Sequence, residues 1–347
     1  MEKRMTVRPL LTFALITYRQ EQFVAEAVRG ALSQTYAPLE IILSDDRSPD
    51  RTFDILRQTA AEYQGENRIL VRQTEQNLGL IGHINDIMRI ARGELIVIAA
   101  GDDISLPERV ERIYQAYLAS QGKAYSIFSN AIWIDEEGHR MNLLRKEPVQ
   151  PEELSLARYA SRRIPALVNG ATHAWKRDIF DIFGPIPTEV RAEDILLPFR
   201  SALLGEIRYI HEPLVLYRRD SGRLKDDKGR TSFSLHRQRW LSWQKLHAEM
   251  YRARLKDLDT FLAREENACK PDEIGCVQKI STARLADLTL LIGVNEGVPL
   301  VKVSPLDWLK YRAIGLFAPL FDFLRLNLYY KYQDLHRLSQ LRSSARG

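Results

Sequence analysis

The stretch Glu94-Leu95-Ile96-Val97-Ile98-Ala99-Ala100-Gly101-Asp102-Asp103 is an apolar run that stops abruptly at two neighbouring carboxylates. An unbroken β-branched and aliphatic run reads as a strand buried on both faces, because only a sheet covered on both sides removes the need for period-2 alternation. The two acids then sit at its carboxyl end. In open α/β sheets that end faces the ligand crevice, where adjacent acids can hold a divalent cation against phosphate oxygens. The bland alternative for the same pair is a solvated loop leading into the helix that Pro107 begins.

Working outward, Leu10 to Thr17 reads as a first strand that leaves through Thr17-Tyr18-Arg19-Gln20-Glu21. Phe23, Ala27, Val28, Ala31 and Leu32 then recur at helical spacing before Pro38. A second strand, Leu39 to Ser44, runs into Asp45-Asp46-Arg47-Ser48-Pro49-Asp50, where Ser48 or Asp50 is suited to cap the helix through Phe53, Ile55, Leu56 and Ala60. Arg68 to Gln73 gives a third strand, and Asn77-Leu78-Gly79 opens a loop into a helix carrying Ile84, Ile87, Met88 and Ala91. Strands alternating with helices at this rhythm are βαβ units, so the fold class is α/β: a Rossmann-like, mostly parallel sheet with helices on both faces. Three strand ends thereby present polar groups to one crevice: Thr17 and Tyr18, Asp45 and Asp46, and Asp102 and Asp103. A nucleotide fits that crevice, with one carboxylate accepting from base or ribose and another holding a metal on the diphosphate. No G-x-G-x-x-G follows the first strand and no G-x-x-x-x-G-K-[ST] occurs, which argues against a dinucleotide fold and a P-loop.

Composition narrows the class. With 347 residues, 45% of them apolar, the chain can bury a large core and carry an appendage. A net charge of +5 is too small a basic excess for a dedicated nucleic-acid binder, so no nucleic-acid partner is expected. Cys269 and Cys276 match no common zinc spacing and suit a reducing cytosol. The basic N-terminus leads into a strand, without a small-residue cleavage site, and is not read as a signal peptide.

Together, Tyr18-Arg19, Ser44-Asp45-Asp46-Arg47-Ser48-Pro49-Asp50-Arg51-Thr52, Asn77-Leu78-Gly79 with Asn85, and Ala91-Arg92-Gly93-Glu94 running to Gly101-Asp102-Asp103 and Pro107 carry a resemblance. In this order they resemble the family-2 glycosyltransferases of GT-A fold, over roughly the first 220 residues. The resemblance implies an inverting transfer of a sugar from a nucleotide diphosphate sugar, with a divalent cation, Mg²⁺ or Mn²⁺. It implies donor contacts at Thr17, Tyr18, Arg19, Asp45, Asp46, Asn77, Gly79 and Asp102, with Asp46 reading the base. It further implies metal binding at Asp102 with Asp103 beside it. Two departures stand out: the first acid of a full D-x-D falls at Ala100, and Arg19 occupies the place of the usual Asn, bringing positive charge toward the diphosphate.

Downstream, Ala124 to Asn130 reads as a strand and Ile132 to Arg140 as a hairpin turning at Asp135-Glu136-Glu137-Gly138. Val168 to Trp175 is placed to line an acceptor pocket, with Gly170 allowing close backbone approach and Trp175 stacking on a sugar ring; His173 reads as a structural histidine. Arg191-Ala192-Glu193-Asp194-Ile195 joins an acidic pair to an apolar helix. Residue chemistry alone makes Asp194 a helix N-cap. The family resemblance makes it the catalytic base, positioned by Glu193, because the attacking hydroxyl must lose a proton. Ile207–Ile210 and Leu214–Tyr217 read as short strands, and Arg218-Arg219 as either an electrostatic aid to the diphosphate or a solvated loop.

Beyond about residue 230 the chain turns to helix formers. Trp240, Trp243, Leu246 and Met250 form a core-facing stripe, and Cys276 to Ile292 reads as another helix. Segment 306–330 is aromatic and basic, broken by charges and Pro319, and too interrupted to span a bilayer. It suits either a membrane surface or packing on protein, including a second copy of the chain. The expected organisation is a catalytic domain over 1–225, with a nucleotide-sugar half to about 130 and an acceptor half over 131–225, followed by a helical region over 226–347. The expected activity is glycosyl transfer to a glycan or lipid-linked oligosaccharide for cell-surface polysaccharide, in the cytoplasm or peripheral at the inner membrane face. The alternatives are a nucleotidyltransferase, disfavoured by the absence of Gly in the turn after the first strand, and an inactive nucleotide- or carbohydrate-binding module.

Overall fold

A computed structural model describes residues 8–159, 168–219, 233–264 and 271–295. The first half alternates strand and helix: β1 Leu11–Thr17, α1 Val24–Leu32, β2 Leu39–Asp45, α2 Thr52–Ala61, β3 Arg68–Gln73, α3 Gly79–Ile90 and β4 Leu95–Ala100. There follow β5 Ile104–Ser105, α4 Arg109–Ala119, the hairpin β6 Ala124–Ile134 and β7 Arg140–Leu143, and α5 Leu156–Tyr159. The remainder is β8 His173–Lys176, α6 Asp178–Phe183, α7 Glu193–Leu204, β9 Glu206–Arg218, α8 Phe233–Leu262 and α9 Pro271–Asn295.

One sheet runs in the order β3-β2-β1-β4-β8-β6-β9-β5, with β7 paired to β6. The strands from β3 to β4 are mutually parallel, as the βαβ rhythm requires. β8 then enters antiparallel between β4 and β6, and β9 returns parallel to β6.

The apolar run at β4 is explained by what covers the sheet. Leu95, Val97 and Ala99 join Leu11, Phe13, Leu15, Leu39, Ile41 and Leu43 against α1 and α4 on one face. Ile96 and Ile98 join Ala14 and Ile42 against α3, α6, α7 and α8 on the other. Both strand faces are therefore in a core, which is why β1, β2 and β4 need no polar alternation.

Several details depart from the sequence reading. Helix α4 begins at Arg109, with the two-residue β5 inserted ahead of Pro107. β6 continues through Asn130 to Ile134, and β9 is one strand whose register against β6 shifts at Ser129–Ala131. Of the expected stripe Met250 is in the core but Trp243 is 58% exposed, and the apolar face of α8 runs on from Met250 through Ala253, Leu258 and Phe261. That face is fastened to α7 by a buried ion pair, Arg200 Nε and Nη2 donating to Asp257 at 2.8 and 3.1 Å. The chain to Thr282 forms one compact unit and Ala283 onward a second. Among the described residues no helix is long and apolar enough to cross a membrane. The segment 306–330 lies outside the described residues.

Candidate active site

The parallel strands bring their carboxyl ends to one edge. Thr17 is in register with Asp45, and the Asp46 N–H donates to the Thr17 carbonyl at 2.9 Å, so the β1 and β2 tips are one unit. Asp45 is fully buried and its carboxylate is occupied: it accepts from Thr17 Oγ1 (3.0 Å), Ser48 N and Oγ (2.8 and 2.6 Å) and Gln73 Nε2 (2.8 Å). Its place is to hold the loop. Ser48 in turn receives the Arg19 N–H at 2.9 Å, fixing the turn that carries Tyr18 and Arg19. Arg19 sits in the left-handed region, at φ 57°, with its guanidinium over the exposed Tyr18 ring.

Asp46 lines the same edge. Its Oδ1 accepts from Leu78 N (2.8 Å) and Thr74 Oγ1 (3.2 Å), and its carbonyl accepts from Asn77 Nδ2 (3.1 Å). Asn77 Oδ1 also receives the Gly79 N–H at 3.2 Å, so Asn77 and Gly79 shape the wall beside Asp46. Behind it lies His83, buried and bonded to Ser44 Oγ at 2.7 Å, its pKa lowered by burial. The sequence reading did not single out His83; its only signal was a polar residue on the apolar face of α3.

The tip of β4 closes against β1 through Gly101. A Cβ there would lie 2.4 Å from Gln20 Oε1 and 2.6 Å from Thr17 Cγ2, so only glycine permits the approach. The turn beyond it separates the two acids. Asp102 is half-buried at the edge, whereas Asp103 faces inward and accepts the Arg218 N–H at 2.8 Å. Burial, then the neighbouring Asp102, raises Asp103 well above the usual carboxylate range. Beneath it, the wholly buried Arg109 donates to Ile98 O (2.7 Å) and Ser105 Oγ (2.8 Å), and burial lowers its pKa to about 9.

The acidic pair of α7 reaches this same edge through β8. The β4/β8 register pairs Val97 with Ala174, and the 3₁₀ turn Gly170–Thr172 that leads into β8 packs against β4. Gly170 touches both acids. Its N–H lies close enough to favour the charged form of Asp194, and a Cβ on it would lie 2.3 Å from Glu193 Oε1. Ala192 is the N-cap of α7, so Asp194 is in the first turn and not the cap the sequence suggested. Burial, and then the charge of Asp194, pushes Glu193 up to about 7; burial also raises Asp194. Two adjacent carboxyls held this way titrate as a pair, both raised above the usual carboxylate range.

Trp175, expected to stack on a sugar, is only 1% exposed and packs in the core beside Phe180. His173 is structural: fully buried, bonded to Ser126 Oγ at 2.8 Å, and kept neutral with a pKa lowered to about 3 by burial and by Arg109. Arg218 is not part of a solvated loop: its side chain is buried and donates to the carbonyls of Asp102 and Asp135. Among the described residues the group of three potential metal ligands within 4.8 Å of one another is Asp135, Glu137 and His139, on the exposed β6–β7 turn.

An open, mostly parallel α/β sheet with carboxylates from β2, β4 and α7 at one edge defines a protein of the GT-A-like class. The solved structure of S. aureus TarS 1–349 in complex with UDP-GlcNAc shares this fold, with a TM-score of 0.53 at 15% identity over 84% of this chain and 77% of that one. The sequence profile of glycosyl transferase family 2 matches residues 12–181, from β1 into α6, and that stretch is a domain of this family. The glycosyltransferase GlyG of Streptococcus pneumoniae is 28% identical over 264 residues, 72% of this chain and 80% of that one. An uncharacterized protein of Mycobacterium tuberculosis is 29% identical over 216 residues, 60% of this chain and 58% of that one, so the chain spans less than two thirds of that relative's length.

Proposed function

We propose that this protein is an inverting glycosyltransferase that moves a sugar from a nucleotide diphosphate sugar to a hydroxyl of a glycan or lipid-linked oligosaccharide. The observation that supports this reading is that Asp46 and the Gly101–Asp102 turn follow neighbouring parts of one parallel sheet, while the Glu193–Asp194 pair is held by the Gly170 turn that packs against β4.

In this reading Asp46 and the wall made by Asn77 and Gly79 accept the base, and Thr17, Tyr18 and Arg19 flank the nucleotide, with Asp45 as the buried brace behind them. Asp194 takes the proton of the acceptor hydroxyl as that oxygen attacks the anomeric carbon, and Glu193 sets its position and basicity. Burial raises Asp194, and a carboxylate raised in this way is a stronger base than an unperturbed one.

A divalent cation fits the β4 tip. Hard oxygen donors are what the turn offers, and Mg²⁺ or Mn²⁺ is commonly held by one or two carboxylates plus substrate phosphates. Asp102 would be the ligand, with Asp103 behind it fixing the turn. The cation, when bound, neutralises charge on the departing diphosphate. A lipid-linked acceptor for cell-surface polysaccharide would suit work at a membrane's inner face, where the aromatic and basic segment 306–330 could dock.

The test is nucleotide release over a panel of UDP-, GDP- and dTDP-sugars with Mn²⁺ or Mg²⁺ and lipid-linked or oligosaccharide acceptors. At least one pair should give release above the no-enzyme rate and a product of inverted anomeric configuration by NMR. Binding of nucleotide without release across the panel would leave only a binding module.

A further inference from the structure

Arg218 ends β9 beside the acidic turn, and almost everything it can donate goes to that turn and its neighbours. Its backbone N–H holds Asp103 Oδ1 at 2.8 Å. Its Nε donates to the Asp102 carbonyl at 3.0 Å, and its Nη1 to the carbonyls of Asp135 and Glu136 at 2.8 and 2.7 Å. Its Nη2 donates to Glu26 Oε2 of α1 at 2.6 Å, and the guanidinium lies 4.4 Å from the Phe23 ring centroid. The side chain is 3% exposed, and its carboxylate partner Glu26 is 46% exposed. One residue therefore joins the Asp102–Asp103 turn, the β6–β7 turn and α1.

A buried guanidinium costs several kcal/mol of desolvation, and one point of attachment would not justify it. Four donor contacts in a planar fork specify geometry more than they add stability, because each acceptor must lie in the plane and at the angle the fork dictates. Of the joined elements, the turn bearing Asp102 is the one with chemistry to place. Its backbone is held from two directions, by Gly101 against β1 and by Arg218 from β9.

We propose that Arg218 is a positioning residue for the cation ligand of the donor site: it sets Asp102 through the peptide carbonyl while never touching substrate itself. Glu26 completes the device by orienting the guanidinium from α1. The inference rests on the reading of Asp102 as that ligand. The predicted consequence is selective. Loosening the fork weakens the part of nucleotide diphosphate binding that the cation supplies and leaves the metal-free part alone.

The test is calorimetric titration of UDP and GDP into the full-length chain, with saturating Mn²⁺ and with EDTA, for the natural sequence, Arg218→Lys and Glu26→Gln. Lysine keeps the charge and the strand N–H but has no planar fork. Arg218→Lys should raise the Kd at least ten-fold in Mn²⁺ and by less than two-fold in EDTA; Glu26→Gln, at an exposed partner, should shift the Mn²⁺ value two- to five-fold in the same direction. A merely structural role would lower Tm and the binding stoichiometry while the Kd of the folded fraction kept its metal dependence, and that result overturns the proposal. If Arg218→Lys does not fold, an unchanged Mn²⁺ Kd in Glu26→Gln overturns it. Nucleotide binding in the natural sequence with no gain from Mn²⁺ would sink this inference and leave the donor reading standing; no binding under either condition would sink both.

Discussion

Replacing Gly170 with alanine puts a methyl group where Glu193 already is. The new Cβ would lie 2.3 Å from Glu193 Oε1, 3.5 Å from its Cδ and 3.7 Å from Asp194 Cβ. A carbon and an oxygen rest about 3.3 Å apart, so either the carboxylate or the turn that carries position 170 must retreat by about 1 Å. Neither can move freely: Glu193 is 7% exposed, and Asn169 Oδ1 pins the turn through the Ala171 N–H at 3.0 Å. Displacement of a catalytic arrangement by about 1 Å costs on the order of 100-fold in rate, or about 2.7 kcal/mol of barrier at about 1.36 kcal/mol per ten-fold. Gly170→Ala should therefore lower kcat for sugar transfer about 100-fold while the donor Kd stays within two-fold, and overpacking should cost about 1–3 kcal/mol in denaturant unfolding. The double variant with Glu193→Ala, which vacates the space, should be no slower than Glu193→Ala alone, a non-additivity that identifies the clash as the cause. A kcat within three-fold of the natural sequence would refute the placement of this pair at the reacting centre.

The pair also sets a pH dependence. With Asp194 raised by burial, kcat should fall on the acid side of a pH–rate profile at a pH above the ordinary aspartate range, while Glu193, pushed up to about 7, sheds its own proton only near neutrality. The same shift bears on stability: folded Glu193 keeps a proton that the unfolded chain releases near about pH 4.3, so its contribution is present below that pH and lost as pH rises through about 7. Glu193→Gln should therefore melt higher than the natural sequence at pH 8, with little difference at pH 4. Asp46→Ala should leave the Leu78 N–H without its acceptor and weaken UDP or GDP binding at least ten-fold by calorimetry, because Asp46 Oδ1 holds both that N–H and the Thr74 hydroxyl. In the contact between α7 and α8, Asp257→Ala strands the buried Arg200 and should cost about 3–5 kcal/mol in chemical denaturation. Replacing both partners by apolar residues should cost much less.

What could be read from the sequence follows from how far apart the deciding residues lie. β1 to β4 were legible because each is a local apolar run whose parallel pairing follows from the helix between strands, and this put Asp46 and Asp102 at one edge with no tertiary information. The short β8, inserted antiparallel between β4 and β6, was not legible: four residues, His173–Lys176, carry no period, and their pairing is decided by the sheet edge they meet. Missing it turned Trp175 outward toward a sugar when the β4/β6 slot buries it. The N-cap of α7 fell on Ala192, since Glu193 and Asp194 are held by the Gly170 turn, a contact between segments over twenty residues apart. Arg218 read as either an aid to the diphosphate or part of a solvated loop because its partners, Glu26, Asp102 and Asp135, come from three distant places in the chain.

The account's central claim is that one carboxylate at the sheet edge deprotonates the acceptor while others hold the donor. Asp194→Asn tests it most directly, with donor binding measured by calorimetry and sugar transfer by nucleotide release on the same preparation. The amide keeps the shape and cannot take the proton, so donor Kd should stay within about two-fold while transfer falls by about 10²–10⁴. An Asp194→Asn protein that transfers sugar at the natural rate would contradict the account.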